Sequence, residues 1–295
     1  MSKAQRNRQE SVRQRIAAQQ AAAKRAETRR RLILGGGVIV VVLAVAIVLI
    51  VLKVGSGSSP SKNTADPVGG VALPASVTRN VTTVPASVLN SVGAGSVIPN
   101  AVTSITGPAL TSNGKPEMLY IGAEFCPYCA AMRWSMAEAL SRFGTLSTPL
   151  KGIHSSSTDT DPNTATLTFY KSSYSSPYLT FTPVENEDRN RNQLQPLTPA
   201  QNALWAKYQP DPSKRGYPFI DIGNRYMLSV IYDPQVLQGL TWSQIAADMH
   251  QASSPVAQGI NGAANVITAA ICKTTGGKPG SVCSAPGVQK AASHL

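Results

Sequence analysis

The stretch Tyr120-Ile-Gly-Ala-Glu-Phe-Cys-Pro-Tyr-Cys-Ala-Ala-Met-Arg-Trp134 passes from a β-rich apolar run straight into a helical pattern, with Cys126-Pro-Tyr-Cys129 at the junction. Two cysteines with two residues between them, on the first turn of a helix, bring their sulfurs close enough to close a small disulfide ring. Pro127 suits the first helical position, where its missing N–H has no partner to lose. The unpaired N–H groups and the positive dipole end of that helix favour a thiolate at Cys126, the form that attacks disulfides. Cys126 is therefore the expected nucleophile, and Cys129, one turn further in, the expected resolving thiol.

Working outward, Met118 to Ala123 reads as the strand and Pro127 to about Phe143 as the helix. Met132, Met136, Ala139, Leu140 and Phe143 recur at three- and four-residue steps and mark a core face. On the N-terminal side, Val84 to Val92 reads as one short helix and Ser104 to Glu117 as loop. On the C-terminal side, Leu150–His154, Thr166–Tyr170 and Tyr178–Val184 are β-type segments. A helix is expected over Pro199–Tyr208, with Ala200, Leu204, Trp205 and Tyr208 docking on the sheet. Tyr217–Ile222 and Arg225–Tyr232 form the arms of a hairpin turned at Gly223-Asn224. Two helices, about Thr241–Gln251 and Pro255–Cys272, end the pattern.

Leu32 to Leu52 is 21 uncharged residues of Leu, Ile, Val, Ala and Gly, enough to cross roughly 30 Å of hydrocarbon as a helix. Residues 1–31 carry ten Lys or Arg against two acids, so +8 of the net +12 precedes this run. The positive-inside rule then keeps the N-terminus cytoplasmic and sends the large C-terminal part outside. A cleaved signal peptide is the competing reading, but its apolar region is typically only about 7 to 15 residues, and no clear cleavage site follows Leu52. The basic arm suits anionic lipid at the bilayer surface better than nucleic acid. Gly35-Gly-Gly37 lies inside the span and reads as helix packing, not a nucleotide loop. Gly, Ser and Pro over about 53–74 suggest a flexible tether, leaving an extracytoplasmic domain over 75–295.

All four cysteines follow the span, as export to an oxidising compartment predicts. Cys272 and Cys283, separated by a loop-forming stretch, read as a structural bridge. A zinc site is the alternative, but His154, His250 and His294 show no ligand spacing, and neither metal nor cofactor is expected.

Strand, Cys-x-x-Cys, long helix, further strands and a proline opening a late hairpin is the element order of the thioredoxin superfamily, which the chain resembles. More narrowly, Gly-Ala-Glu-Phe-Cys-Pro-Tyr-Cys-Ala-Ala with Arg133-Trp134, then Ser175-Ser-Pro-Tyr178 and Pro218-Phe-Ile-Asp-Ile-Gly-Asn224, resembles the thioredoxin-like proteins grouped as domain-of-unknown-function family 929, over roughly Ala75 to Cys283. The resemblance implies an α/β fold, a three-layer α/β/α domain; the length of the exported part adds an insertion at about 155–216, and the apolar run adds one transmembrane helix ahead of it. The resemblance also implies a cis bond between Tyr217 and Pro218, with Pro218 against the redox pair and backbone near Tyr217 open to a client; a trans proline is the plain alternative. Glu124 is either a buried acid relaying the proton when Cys129 attacks, or an exposed carboxylate or salt-bridge partner of Arg133. Tyr128 and Trp134 either shape the client groove or pack.

The function expected from these features is a membrane-tethered thiol–disulfide oxidoreductase, with exported protein thiols or disulfides as clients and a membrane redox partner to recycle the pair. Two alternatives stand beside it: a redox-inert envelope-binding module whose pair is structural, and a reductant dedicated to one pathway. The Pro-Tyr dipeptide does not decide among them. Potentials of such pairs span roughly −270 to −120 mV, or some 7 kcal/mol.

Overall fold

A computed structural model describes residues 66–295. The basic arm and the expected span at 32–52, with the bilayer contacts expected of them, lie outside the described residues, and among those described no helix is long and apolar enough to cross a membrane. In chain order the elements begin with β1 (Val71–Ala72), α1 (Ala75–Thr82), α2 (Ala86–Val92), β2 (Val102–Ser104), β3 (Thr111–Ser112), β4 (Lys115–Ala123) and α3 (Pro127–Ser141). They continue with β5 (Thr145–Leu146), β6 (Lys151–His154), β7 (Ala165–Thr168), β8 (Tyr174–Ser175), β9 (Thr180–Glu187) and α4 (Pro199–Tyr208). Last come β10 (Phe219–Ile222), β11 (Tyr226–Leu228), α5 (Trp242–Asp248), α6 (Pro255–Thr274), α7 (Gly280–Cys283) and α8 (Pro286–Ala291).

The chain is a mixed α/β protein built on β4. One edge of β4 pairs in parallel with β9, Met118 opposite Phe181 and Gly122 opposite Glu185. Its other edge pairs antiparallel with β10, Tyr120 opposite Ile220. Beyond β10 the sheet continues through β11 to β2. Because strand side chains alternate between faces, Met118, Tyr120, Phe181, Ile220 and Ile222 join the larger core with α3 and α6. Leu119, Ile121, Val184 and Phe219 project the other way onto Trp205 of α4. Helices thus cover both faces, and everything that positions Cys126 sits at the C-terminal end of β4.

Helix α3 is buried from Cys129 to Leu140 with no polar stripe, as a helix walled in on all sides must be. It packs on α6, itself buried from Ile260 through Cys272. The turn from β10 to β11 uses Gly223 and Asn224, with φ of 65° and 55°, the left-handed region that glycine and asparagine reach most readily. Cys272 and Cys283 are bonded. Closing a loop of that length stabilises the fold by about 3 kcal/mol.

Several expectations are corrected. The stretch 104–117 is not all loop: β3 and the start of β4 form a small hairpin there, whose Pro and Gly content hides it. Residues 66–74, expected within the tether, belong to the folded body. Asp66 accepts the His154 backbone N–H at 2.7 Å, and β1 pairs with β6. Ala200 is exposed, so only Leu204, Trp205 and Tyr208 of the expected set pack on the sheet. The expected insertion over 155–216 is not one segment, since β9 is a full member of the main sheet. The additional strands run from β5 to β8, before it. Helices α1, α7 and α8, of eight, four and six residues, had no expectation.

Candidate active site

The local sequence explains the placing of Cys126. Its backbone is extended (φ −78°, ψ 122°) just before Pro127 starts α3, so Cys126 is the N-cap. Its Sγ accepts from the Cys129 backbone N–H at 3.3 Å, as a serine or aspartate oxygen does at other helix starts. The Sγ–H lies 3.6 Å from the Tyr217 carbonyl oxygen. Both cysteines are free thiols, Cys126 4% exposed and Cys129 with no exposure.

Their electrostatics diverge. The Cys129 thiol donates to Cys126 and holds it below the ordinary thiol range; burial opposes this, while the Cys129 N–H, the Arg133 charge and the Tyr128 N–H add to it. Burial, then the negative end of Cys126, pushes the Cys129 thiol well up. One thiol is poised to ionise and the other kept protonated until it is needed.

The Tyr217–Pro218 bond is cis, and Pro218 is buried. Tyr217 is half-buried. Its ring meets Phe125 edge-on at 6.0 Å, and its hydroxyl donates to Glu187 at 3.0 Å and accepts from Asn186 at 2.5 Å. Tyr128 is 38% exposed at the rim. Trp134 is not: it has no exposed surface, and its indole N–H donates to the Ala165 carbonyl at 3.1 Å. The strands that cover α3 on that side leave it no access to a client.

Two loops complete the rim, and sequence reasoning missed both. The Arg191 guanidinium stacks 3.7 Å over Phe125 and bonds to Asp159 at 3.1 Å. The Ser156 N–H donates to the Phe125 carbonyl at 2.9 Å. No local signal marks these residues. They meet Phe125 only through the strands on which they are carried.

Beneath the pair, Arg133 is fully buried and bonds in two places to Glu185, at 2.9 and 2.7 Å. It also donates to the Ala123 carbonyl at 2.7 Å. The partner of Arg133 is therefore Glu185, not Glu124. Glu124 itself is buried, accepts from the Thr168 hydroxyl at 2.6 Å, and is pushed by burial from 4.5 to about 7. Its hydrogen bonds do not include either thiol.

A carboxyl titrating at about 7 in the fold and 4.5 in the unfolded chain holds its extra proton in the native state between those values. The stability this gives is complete below about pH 4.5 and lost as pH rises through about 7, a change of about 3 kcal/mol. Glu124→Gln is expected to gain that amount over the unmodified protein between pH 5 and 8, read from urea midpoints. Asp221, raised by burial to about 6, contributes with the same sign to both proteins and cancels. A constant difference across the range would show that Glu124 is not held neutral.

The family described as "Domain of unknown function (DUF929)" matches residues 102–273, more than half of the chain. No curated protein matches the sequence. No solved structure matches it either.

Proposed function

The chain belongs to the DUF929 family, and from the geometry at Cys126 we propose that it is a membrane-anchored, extracytoplasmic thiol–disulfide oxidoreductase of thioredoxin-like fold. The observation that carries this reading is the asymmetry of the pair. Cys126 caps the helix with its sulfur and ionises readily, while Cys129 is sealed behind it and kept protonated. The fold assignment is supported by the order of β4, the redox helix, parallel β9, α4 on the opposite face, and a hairpin entered through a cis proline. Four cysteines placed after a long apolar run support the compartment.

In the oxidising direction a client thiolate attacks Cys126 Sγ of the Cys126–Cys129 disulfide, and Cys129 leaves as a thiolate and takes a proton. A second client thiolate then attacks the mixed disulfide at the client sulfur, releasing Cys126. The client loses two electrons and the pair gains them, to be passed to a membrane redox partner. Tyr128, the Tyr217 backbone and Pro218 border the sulfur where the client is held, and compartment favours oxidation or isomerisation over reduction.

The slight exposure of Cys126 favours a second reading, a binding module with an inert pair. Equilibrating the full-length protein with glutathione, followed by alkylation and mass spectrometry, separates the two. A potential of about −120 to −180 mV is expected for a disulfide donor or isomerase. A value near or below about −270 mV would point to a reductant or, if the pair fails to exchange at all, would sink the oxidoreductase reading.

A further inference from the structure

Tyr120 and Gly122 are two residues apart on β4 and share the face that carries α3. The Tyr120 side chain leans along the strand over Gly122, so that a Cβ at Gly122 would lie 1.9 Å from the Tyr120 hydroxyl oxygen. Glycine is required here because the phenol occupies that space. The lean carries the hydroxyl toward the end of the strand where the redox pair sits. Tyr120 has no exposed surface, and among the described residues its hydroxyl has no hydrogen-bond partner. Arg133 comes to the same place from the helix, one turn beyond Cys129, its guanidinium carbon 6.0 Å from the centre of the Tyr120 ring. Two of its nitrogens are bonded to Glu185 and Ala123, whereas Nη1 has no partner among the described residues.

A buried donor left unpaired is costly, and both of these belong to side chains that act on Cys129 or are acted on by it. Resting on the oxidoreductase reading, we infer that the Tyr120 hydroxyl and the Nη1 arm of Arg133 form a buried donor pair that receives the negative charge carried transiently by Cys129 Sγ. The charge appears there in both directions of exchange. When Cys129 resolves a mixed disulfide, its thiol first gives its proton to solvent, from which the departing client thiolate can recover one. The thiolate then bonds to Cys126 Sγ, and the client leaves as a thiolate, reduced by two electrons as the pair is oxidised. When a client thiolate attacks the oxidised pair at Cys126, the broken bond leaves the same charge on Cys129. Neighbouring Cys129 and Arg133 both act on the phenol, with burial the largest influence, and the Arg133 charge counters the effect of burial on Cys129. The hydroxyl, drawn to Cys129 in the thiol state without completing a hydrogen bond, closes on it in the thiolate state, which is differential stabilisation of the reacting form.

The test is stopped-flow reaction of the reduced full-length protein with a small aromatic disulfide, comparing the unmodified chain with Tyr120→Phe. The first thiolate released reports attack by Cys126, and the second reports resolution by Cys129. Without that hydrogen bond the Cys129 thiolate fraction is expected to fall by about 10- to 100-fold. A less acidic thiol is intrinsically more nucleophilic, with a Brønsted coefficient of about 0.4 to 0.5, which offsets part of that fall, so the second phase is expected to slow by about 3- to 15-fold. The first phase and the thermal midpoint are expected to hold or, for the midpoint, to rise, because Phe removes a hydroxyl that has no partner. Equal slowing of both phases with a lower midpoint would assign Tyr120 to packing and overturn the inference, as would an unchanged second phase. Absence of the first phase in the unmodified protein would instead remove the oxidoreductase reading, and the inference with it.

Discussion

Cys126→Ser is expected to lose disulfide exchange entirely, while Cys129→Ser is expected to accumulate mixed disulfides with exported clients. The two thiols differ in every physical respect that governs exchange. Cys126 ends an extended segment, has its sulfur against a backbone N–H, and is held below the ordinary thiol range. Cys129 has no exposed surface and is pushed up by burial. Exchange proceeds through the thiolate, so removing Cys126 leaves only a thiol that is both protonated and out of reach. Removing Cys129 leaves attack intact but takes away the sulfur that releases the client. Non-reducing gels and mass spectrometry of cells producing each variant read this directly. Trapped species with Cys126→Ser but not Cys129→Ser would reverse the assignment, and none with either would remove the activity.

Glu185→Gln is expected to destabilise the protein by about 3 to 5 kcal/mol, a fall in melting temperature of roughly 6 to 20 °C. The carboxylate of Glu185 satisfies Arg133 Nε and Nη2 and also accepts the Phe169 N–H at 3.1 Å. Neither side chain of the pair touches water. A neutral amide leaves a guanidinium buried without a counter-charge, and its NH2 group sets a donor against a donor. The pair itself is not a source of large net stability, because desolvating two charges offsets most of their attraction. Arg133→Met combined with Glu185→Leu is therefore expected to recover most of the loss, leaving a well-folded protein whose Cys129 has lost its neighbouring charge. If Glu185→Gln melts within a degree of the unmodified protein, Arg133 has found another partner and the buried pair is not what holds β9 to α3.

Much of the site is legible in the chain because the signals are local. Cys126-Pro-Tyr-Cys129 needs only a strand end and a helix start, and the apolar periods of 118–123 and 127–143 supply them. The hairpin follows from the alternation on either side of Gly223-Asn224, and the Cys272–Cys283 bridge from cysteines flanking a loop. The partners of those residues are not legible. Arg133 is paired with a residue 52 positions away, and Glu124, the partner the sequence suggested for it, turns instead to Thr168. Trp134 is adjacent to Arg133, yet its burial depends on strand β7 arriving from a later segment. Asp66 looks like tether until His154 and Arg189 are brought to it.

The sequence by itself determined which atoms can do chemistry: a Cys-x-x-Cys pair at a helix N-terminus, a proline ahead of the late hairpin, and two further cysteines to staple the end of a long helix. Only the tertiary structure decided the surroundings that set how those atoms behave. The parallel register of β4 and β9 places Glu185 opposite Gly122. That one alignment brings Arg133, Glu185, Tyr120 and Cys129 into the same buried space, where charges act through little solvent and an unpaired donor is costly. Periodicity and capping are properties of neighbouring residues and survive in a linear reading, whereas register is fixed by the packing of the whole sheet.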